Sequence, residues 1–160
     1  MKKIINKIKY FKYNLFIKKM FYYLLIVNKN GSLIYDRAFS NSLKLTSNEV
    51  INIASIFYSM HAISSKLTPP GYEQTSELKL ENGGIEIMEA SAMRLVCFQS
   101  LTKIKFIFVT DYQTNLDKCT ENFRKIYDVY SDVVAKNPNY ELDMPIRVNS
   151  FDERVNQIFS

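Results

Sequence analysis

The sequence predicts an α+β sandwich, one mostly antiparallel five-stranded sheet with helices on both faces. Three observations carry this. Phe21-Tyr22-Tyr23-Leu24-Leu25-Ile26-Val27 and Phe106-Ile107-Phe108-Val109 are unbroken apolar runs of strand length, as expected of strands covered on both faces. Two longer stretches, beginning near Thr46 and Asn115, repeat apolar residues every three or four positions, the period of a helix. The order β-β-α-β-β-β-α, closed by a short C-terminal helix, then needs helices on each side of a single sheet.

Asn30-Gly31 follows the first run and is a strong hairpin signal, because both residues accept positive φ. Leu33-Ile34-Tyr35 returns as the second strand. Thr46-Ser47-Asn48-Glu49 reads as a capping box, the Thr46 hydroxyl accepting from the Glu49 amide while the Glu49 carboxylate reaches back. The helix it opens is expected to run to about Ser65 and to bury Val50, Ile53, Ala54, Phe57, Met60 and Ile63. Pro69-Pro70-Gly71 ends it, and residues 71–83 read as a polar loop. Three strands follow in a meander: Gly84 to about Glu89, Met93 to Gln99, and Ile104 to Thr110. Thr114 or Asn115 caps the second helix, whose apolar positions are Leu116, Cys119, Phe123, Ile126, Tyr130 and Val133. Pro138 forces that helix to stop by Asn137. An extended connector is expected next, with Tyr140, Leu142, Met144 and Ile146 on one side, and then a terminal helix from Phe151 to Phe159.

A chain of 160 residues suits one domain, 20–160, preceded by a basic leader, 1–19. No run of about 18 apolar residues exists to cross a membrane. The net charge of +5 misleads if taken whole, because Lys2, Lys3, Lys7, Lys9, Lys12, Lys18 and Lys19 stand in the leader with no acid. Without them 14 of the 21 basic residues face 16 acidic ones, so the basic pI gives no sign of nucleic-acid binding. The leader sets Ile4, Ile5, Ile8, Phe11, Leu15 and Phe16 on one helical face. Two readings fit it: an amphipathic helix in peripheral contact with an anionic membrane, or an extension ahead of a true start at Met20.

Reactive constellations are few. His61 is the lone histidine, with no nucleophile in a recognisable context, and suits a core or interface role. Glu86 and Glu89, three apart on a strand, point to opposite faces and cannot share a substrate. Asp111 precedes a helix and is expected to cap it. Cys97 and Cys119 lack any CxxC spacing and read as reduced, buried thiols. No phosphate or dinucleotide loop is present, so no enzyme activity, cofactor or metal is expected.

Several stretches, taken in order, carry a resemblance. They are Val27-Asn28-Lys29-Asn30-Gly31-Ser32-Leu33-Ile34-Tyr35, Leu45-Thr46-Ser47-Asn48-Glu49, Gly84-Ile85-Glu86-Ile87-Met88-Glu89, and Leu95-Val96-Cys97-Phe98-Gln99-Ser100-Leu101-Thr102-Lys103. Ile126-Tyr127-Asp128-Val129-Tyr130-Ser131-Asp132 then leads into Lys136-Asn137-Pro138 and on to Met144-Pro145-Ile146-Arg147. Over most of residues 21–155 the chain resembles the synbindin family, subunit 4 of the transport protein particle (TRAPP) vesicle-tethering complex. Some relatives carry a PDZ-like insertion before the first helix, where this chain has only a short connection from about Ala38 to Lys44.

The resemblance implies a longin-like fold and a non-catalytic core subunit acting in transport from the endoplasmic reticulum to the Golgi. It also implies a cytoplasmic location, peripheral at those membranes. The implied partners are other TRAPP subunits, longin-like and Bet3-like, and an early-secretory Rab GTPase bound through a nucleotide-exchange platform. An adaptor small chain fits the layout but not the motifs, and a longin SNARE needs a coiled coil beyond Ser160. The expected partner surface comprises Tyr58, Asn137, Pro138, Tyr140, Met144, Pro145, Ile146 and Arg147. Val96, Phe98 and Tyr127 are expected to add exposed apolar area.

Overall fold

The β1 run, Phe21–Val27, is buried on both sides because it lies one place from the sheet centre. The computed structural model describes residues 21–67, 84–91 and 93–159, so the leader and the loop expected at 71–83 lie outside the described residues. β2 is Leu33–Ala38, β3 Ile87–Ala90, β4 Met93–Gln99 and β5 Lys105–Thr110. Their order is β2-β1-β5-β4-β3, every pairing antiparallel. β5 takes the centre, as its two-sided apolar run requires. β3 starts three residues later than expected. The Ile85 amide ahead of it is held by the His61 ring, and only the Glu86 carbonyl extends the pairing, accepting from Cys97 N–H at 2.7 Å.

Alternation assigns the faces. Phe106 and Phe108 point to one side of β5, Lys105, Ile107 and Val109 to the other. In β1 a register shift between Phe21 and Tyr23 inserts Tyr22, which lets Phe21 share a face with Leu24 and Ile26.

Helix α1, Ser47–Leu67, lies on the face of Ile107. Its capping box forms: Thr46 N–H donates to Glu49 Oε2 at 2.7 Å and Glu49 N–H to Thr46 Oγ1 at 3.4 Å. The Glu49 carboxyl is held below its usual range by those Thr46 donors. The buried stripe is Val50, Ala54, Phe57 and His61, with Ile53 half-buried. Met60 and Ile63 are exposed instead, because successive residues turn about 100° and 61 follows 57 on the inner side, whereas 60 and 63 rotate outward.

Helix α2, Leu116–Tyr130, covers the opposite face with Cys119, Phe123, Ile126 and Tyr130. Asn115 caps it, its side chain accepting from Asp117 N–H at 2.8 Å; Asp111 serves through its backbone carbonyl, which accepts from Thr114 N–H. A single π turn, Ser131–Ala135, ends the helix, closed by Lys136 N–H to the Ser131 carbonyl at 3.2 Å. Val134, not Val133, therefore reaches the core. Helix α3, Asn149–Ile158, completes this face with Phe151 and Val155, and Phe159 beyond its end packs beside them.

The connector departs most from expectation. It is two consecutive turns, with Tyr140 N–H donating to the Asn137 carbonyl (3.1 Å) and Met144 N–H to the Glu141 carbonyl (3.2 Å). Asn137 accepts on its side chain from Asn139 N–H, Pro138 sits where its fixed φ suits a turn, and Asp143 adopts φ 72°. Alternation is lost, so Leu142 and Met144 are exposed while Ile146 is buried.

Candidate partner-binding surface

Ile146 shows what anchors the connector. Its N–H donates to the Ile34 carbonyl at 2.8 Å, on the edge of β2 that does not face β1, and its side chain enters the core beside Tyr35 and Phe151. Ile146 is therefore spent inside the subunit and is no anchor for a partner. Burial of the Tyr35 hydroxyl, and its 2.6 Å hydrogen bond to Asp152 Oδ1, drive its pKa far above the usual tyrosine range. Arg37 Nε donates to Asn156 Oδ1 at 3.2 Å, a second tie between β2 and α3.

With its underside fixed, the connector presents its outer side. Asn137, Tyr140, Met144, Pro145 and Arg147 converge on one open hollow of about 500 Å³, with Asn139, Glu141 and Val148. The Tyr140 hydroxyl donates to the Met144 carbonyl at 2.8 Å and so holds the two turns together. A second hollow of about 420 Å³ lies between the connector, β2 and the start of α1, and Pro145 and Arg147 line this one too. Arg147 thus stands on the ridge between two hollows with its guanidinium exposed, a group suited to carboxylates or backbone carbonyls. Pro138 is exposed on the turn itself and lines neither.

Tyr58 belongs elsewhere. It lies on α1, its hydroxyl donating to the Lys29 carbonyl at 2.9 Å and its ring closing over Gly31, where φ is 89°. Lys105 Nζ sits 4.9 Å from the centre of the same ring, a cation–π contact. Lys105 is 5% exposed, and burial holds its pKa below the usual lysine value. Next to it the His61 ring bridges α1 to the strands, Nδ1 lying 3.2 Å from the Ile85 amide nitrogen and 3.3 Å from its carbonyl, and Nε2 3.1 Å from Gln99 Oε1. Burial first and then the Lys105 charge lower its pKa, which favours the neutral ring, while the bonds to Ile85 and Gln99 act the other way. His61 is a core residue with both nitrogens engaged. Burial pushes Cys97 and Cys119 up to about 12, which makes them poor nucleophiles.

Val96, expected at the surface, is fully buried, because β4 lies inside the sheet; Phe98 and Tyr127 are half-buried against each other. The surface that sequence reasoning missed is the outer side of α1, where Ile56 and Leu67 join Met60 and Ile63 in the open. Their spacing of four, three and four was a legible signal, but two of them had been placed in the core.

A model described as the Sybindin-like family matches residues 21–160. The chain is 40% identical over 133 residues to "Trafficking protein particle complex subunit 4" of Dictyostelium discoideum, covering 83% of this chain and 91% of that protein. It is 45% identical over 113 residues to the protein of the same name from Bos taurus, covering 70% of this chain and 46% of that protein. The chain thus spans most of the amoebal relative and less than half of the bovine one. Among solved structures it is similar to "Homology model of the full-length AP-3 complex in a stretched open conformation" (TM-score 0.48, 12% identity, 87% of this chain and 91% of that one). It is also similar to "MglB with tetrameric arrangement" (TM-score 0.44, 11% identity, 71% and 81%), and at such scores neither likeness bears on function. On the family match and the two subunit-4 relatives together, this chain belongs to the Sybindin-like family.

Proposed function

We propose that this protein is a non-catalytic core subunit of a TRAPP vesicle-tethering complex, acting in transport from the endoplasmic reticulum to the Golgi. The observation that carries the reading is its 40% identity along 91% of a relative named trafficking protein particle complex subunit 4. The chemistry of the site agrees with a surface-presenting role. Its buried ionisable groups are engaged in packing, while Arg147 and Met144 stand exposed on a braced connector.

The subunit contributes surface to a platform that exchanges nucleotide on an early-secretory Rab GTPase. Exchange of this kind requires a surface that binds the nucleotide-free GTPase better than the loaded form, and no reactive side chain. Longin-like and Bet3-like subunits flank it, and the assembly sits peripherally on endoplasmic reticulum and cis-Golgi membranes. Affinity purification from the native cell with mass spectrometry tests this. Recovery of the other TRAPP subunits, with Rab nucleotide exchange in the purified assembly and none from this chain alone, is the expected result. Recovery of coat large chains instead would make it an adaptor small chain.

A further inference from the structure

At one end of the sandwich the β1–β2 hairpin, the β4–β5 turn, the π turn and the connector surround a further hollow, of about 290 Å³. Ile104, Tyr127, Ala135 and Leu142 make its walls mostly apolar. Ser131 and Ala135, the first and last residues of the π turn, both line it, and turns of this kind recur at functional sites. Tyr130 is the buried member of the lining. It is 4% exposed, and its ring meets Phe106 edge-on at 5.5 Å and Phe151 at 6.4 Å.

Among the described residues the Tyr130 hydroxyl makes no hydrogen bond, whereas Tyr35, buried on the same face, has Asp152. After burial itself, Tyr140, Asp143 and Tyr127 are the groups that push the Tyr130 pKa up to about 12. Asp143 and Tyr127 line the hollow, so the hydroxyl lies on that side. A buried donor without an acceptor costs the fold its desolvation, and an acceptor brought in by a ligand recovers it. Charge selects the ligand. The lining holds one cation, Lys29, and one anion, Asp143, whose Oδ2 accepts from Asn30 Nδ2 at 3.4 Å. Next to lining residues in sequence stand Lys103 and Lys136 against Asp128, Asp132 and Glu141, with Lys136 paired to Asp132 at 2.6 Å. A free acid would meet Asp143 at the mouth and a free amine Lys29, whereas a neutral peptide backbone meets no like charge. At the small end of ligand pockets, which run from about 300 to 1,000 Å³, the hollow takes one side chain.

We propose that this hollow seats one phenylalanine or leucine side chain from a partner protein's exposed segment, the carbonyl oxygen beside that side chain accepting from the Tyr130 hydroxyl. The site does not depend on which complex holds the subunit. The test titrates N-acetyl-L-phenylalaninamide into the full chain and follows the amides of Ser131, Ala135 and Leu142 by NMR. A Kd of about 1 mM is expected, with those amides unmoved by N-acetyl-L-alaninamide. Tyr130→Phe keeps the ring and removes the donor, so it should weaken the probe roughly fivefold to tenfold and leave the urea midpoint in place. Ala135→Trp, at the exposed edge of the hollow, should abolish the shifts at an unchanged midpoint, which guards against one variant that fails to fold. Equal affinity in Tyr130→Phe, or a lowered midpoint, would assign the hydroxyl to the fold's own bonding and overturn the proposal. So would shifts from the alanine probe as large as those from the phenylalanine one, since no anchor would then be read. Octanoate binding more tightly than the phenylalanine probe would make the hollow a site for small apolar acids, which also overturns it.

Discussion

The two faces of the sheet are finished differently. On the Phe108 side, α2, its π turn, the connector and α3 close over an aromatic core in which Phe108 stacks on Phe123 at 4.2 Å and meets Phe159 edge-on at 5.8 Å. On the Ile107 side α1 is the one helix among the described residues, buried along one stripe and apolar along another that faces outward. The closed face has spent most of its apolar side chains on the fold, Ile146 among them, and leaves Leu142 and Met144 in the open. The single-helix face keeps apolar area in reserve. Among the described residues, exposed apolar surface thus runs along α1, while the connector offers a braced ridge where Arg147 stands beside the exposed Met144.

The sharpest way to break this contrast is Phe108→Ala, which should cost about 3–5 kcal/mol of unfolding free energy in urea. Ile63→Ser on the outer stripe should stay within about 0.5 kcal/mol. Comparable losses would mean that the outer stripe is already part of the core.

Within the connector, Ile146→Ala should cost about 2–4 kcal/mol of stability. Arg147→Ala should leave the unfolding midpoint in place and weaken binding to a partner subunit, measured by calorimetry, by about 1–3 kcal/mol. Unchanged affinity on Arg147→Ala would remove the connector from the partner surface.

At the hairpin tip, Gly31→Ala would set a methyl 2.7 Å from the Tyr58 ring at φ 89°. A loss of about 1–3 kcal/mol is expected from strain and clash together. If Tyr58→Ala restores the stability of Gly31→Ala in thermal unfolding, the clash dominates; if it does not, the backbone does.

The smallest effect is a pH dependence on the α1 face. His61 is held neutral in the fold, mainly by burial and then by Lys105, with its pKa below the ordinary 6.5. The unfolded chain takes up the proton near pH 6.5 while the folded chain resists it. Stability is thus fully present above that pH and is lost as pH falls toward the folded pKa. Urea midpoints from pH 7.5 down to 5.5 should decline for the natural chain and flatten for His61→Gln. A flat natural profile would show that His61 is less shielded than its contacts with Gly84, Ile85 and Gln99 imply.

Periodicity determined much of this protein by itself. The apolar runs at 21–27 and 106–109 placed β1 and β5 inside the sheet, because a strand without alternation must be covered twice. The Thr46–Glu49 box, the Asn115 cap and the stop at Pro138 formed as local chemistry dictates, since each depends on residues within one turn of the chain. The candidate surface was half legible for the same reason. Asn137, Tyr140, Met144, Pro145 and Arg147 are neighbours in sequence and converge on one hollow, whereas Tyr58 sits on another element.

The tertiary structure decided what no local pattern could. Alternation in 140–146 suggested an extended ribbon, but Asn137 and Asp143 turn the chain twice, and the Ile34 carbonyl pulls Ile146 into the core. Along α1 both stripes are apolar, so spacing alone could not say which one faces the sheet. That choice belongs to the sheet, whose hairpin and β4 present Lys29 to Tyr58 and Gln99 to His61 and so fix the helix about its own axis. A face is a relation between two elements, and one element's sequence carries only its own half of it.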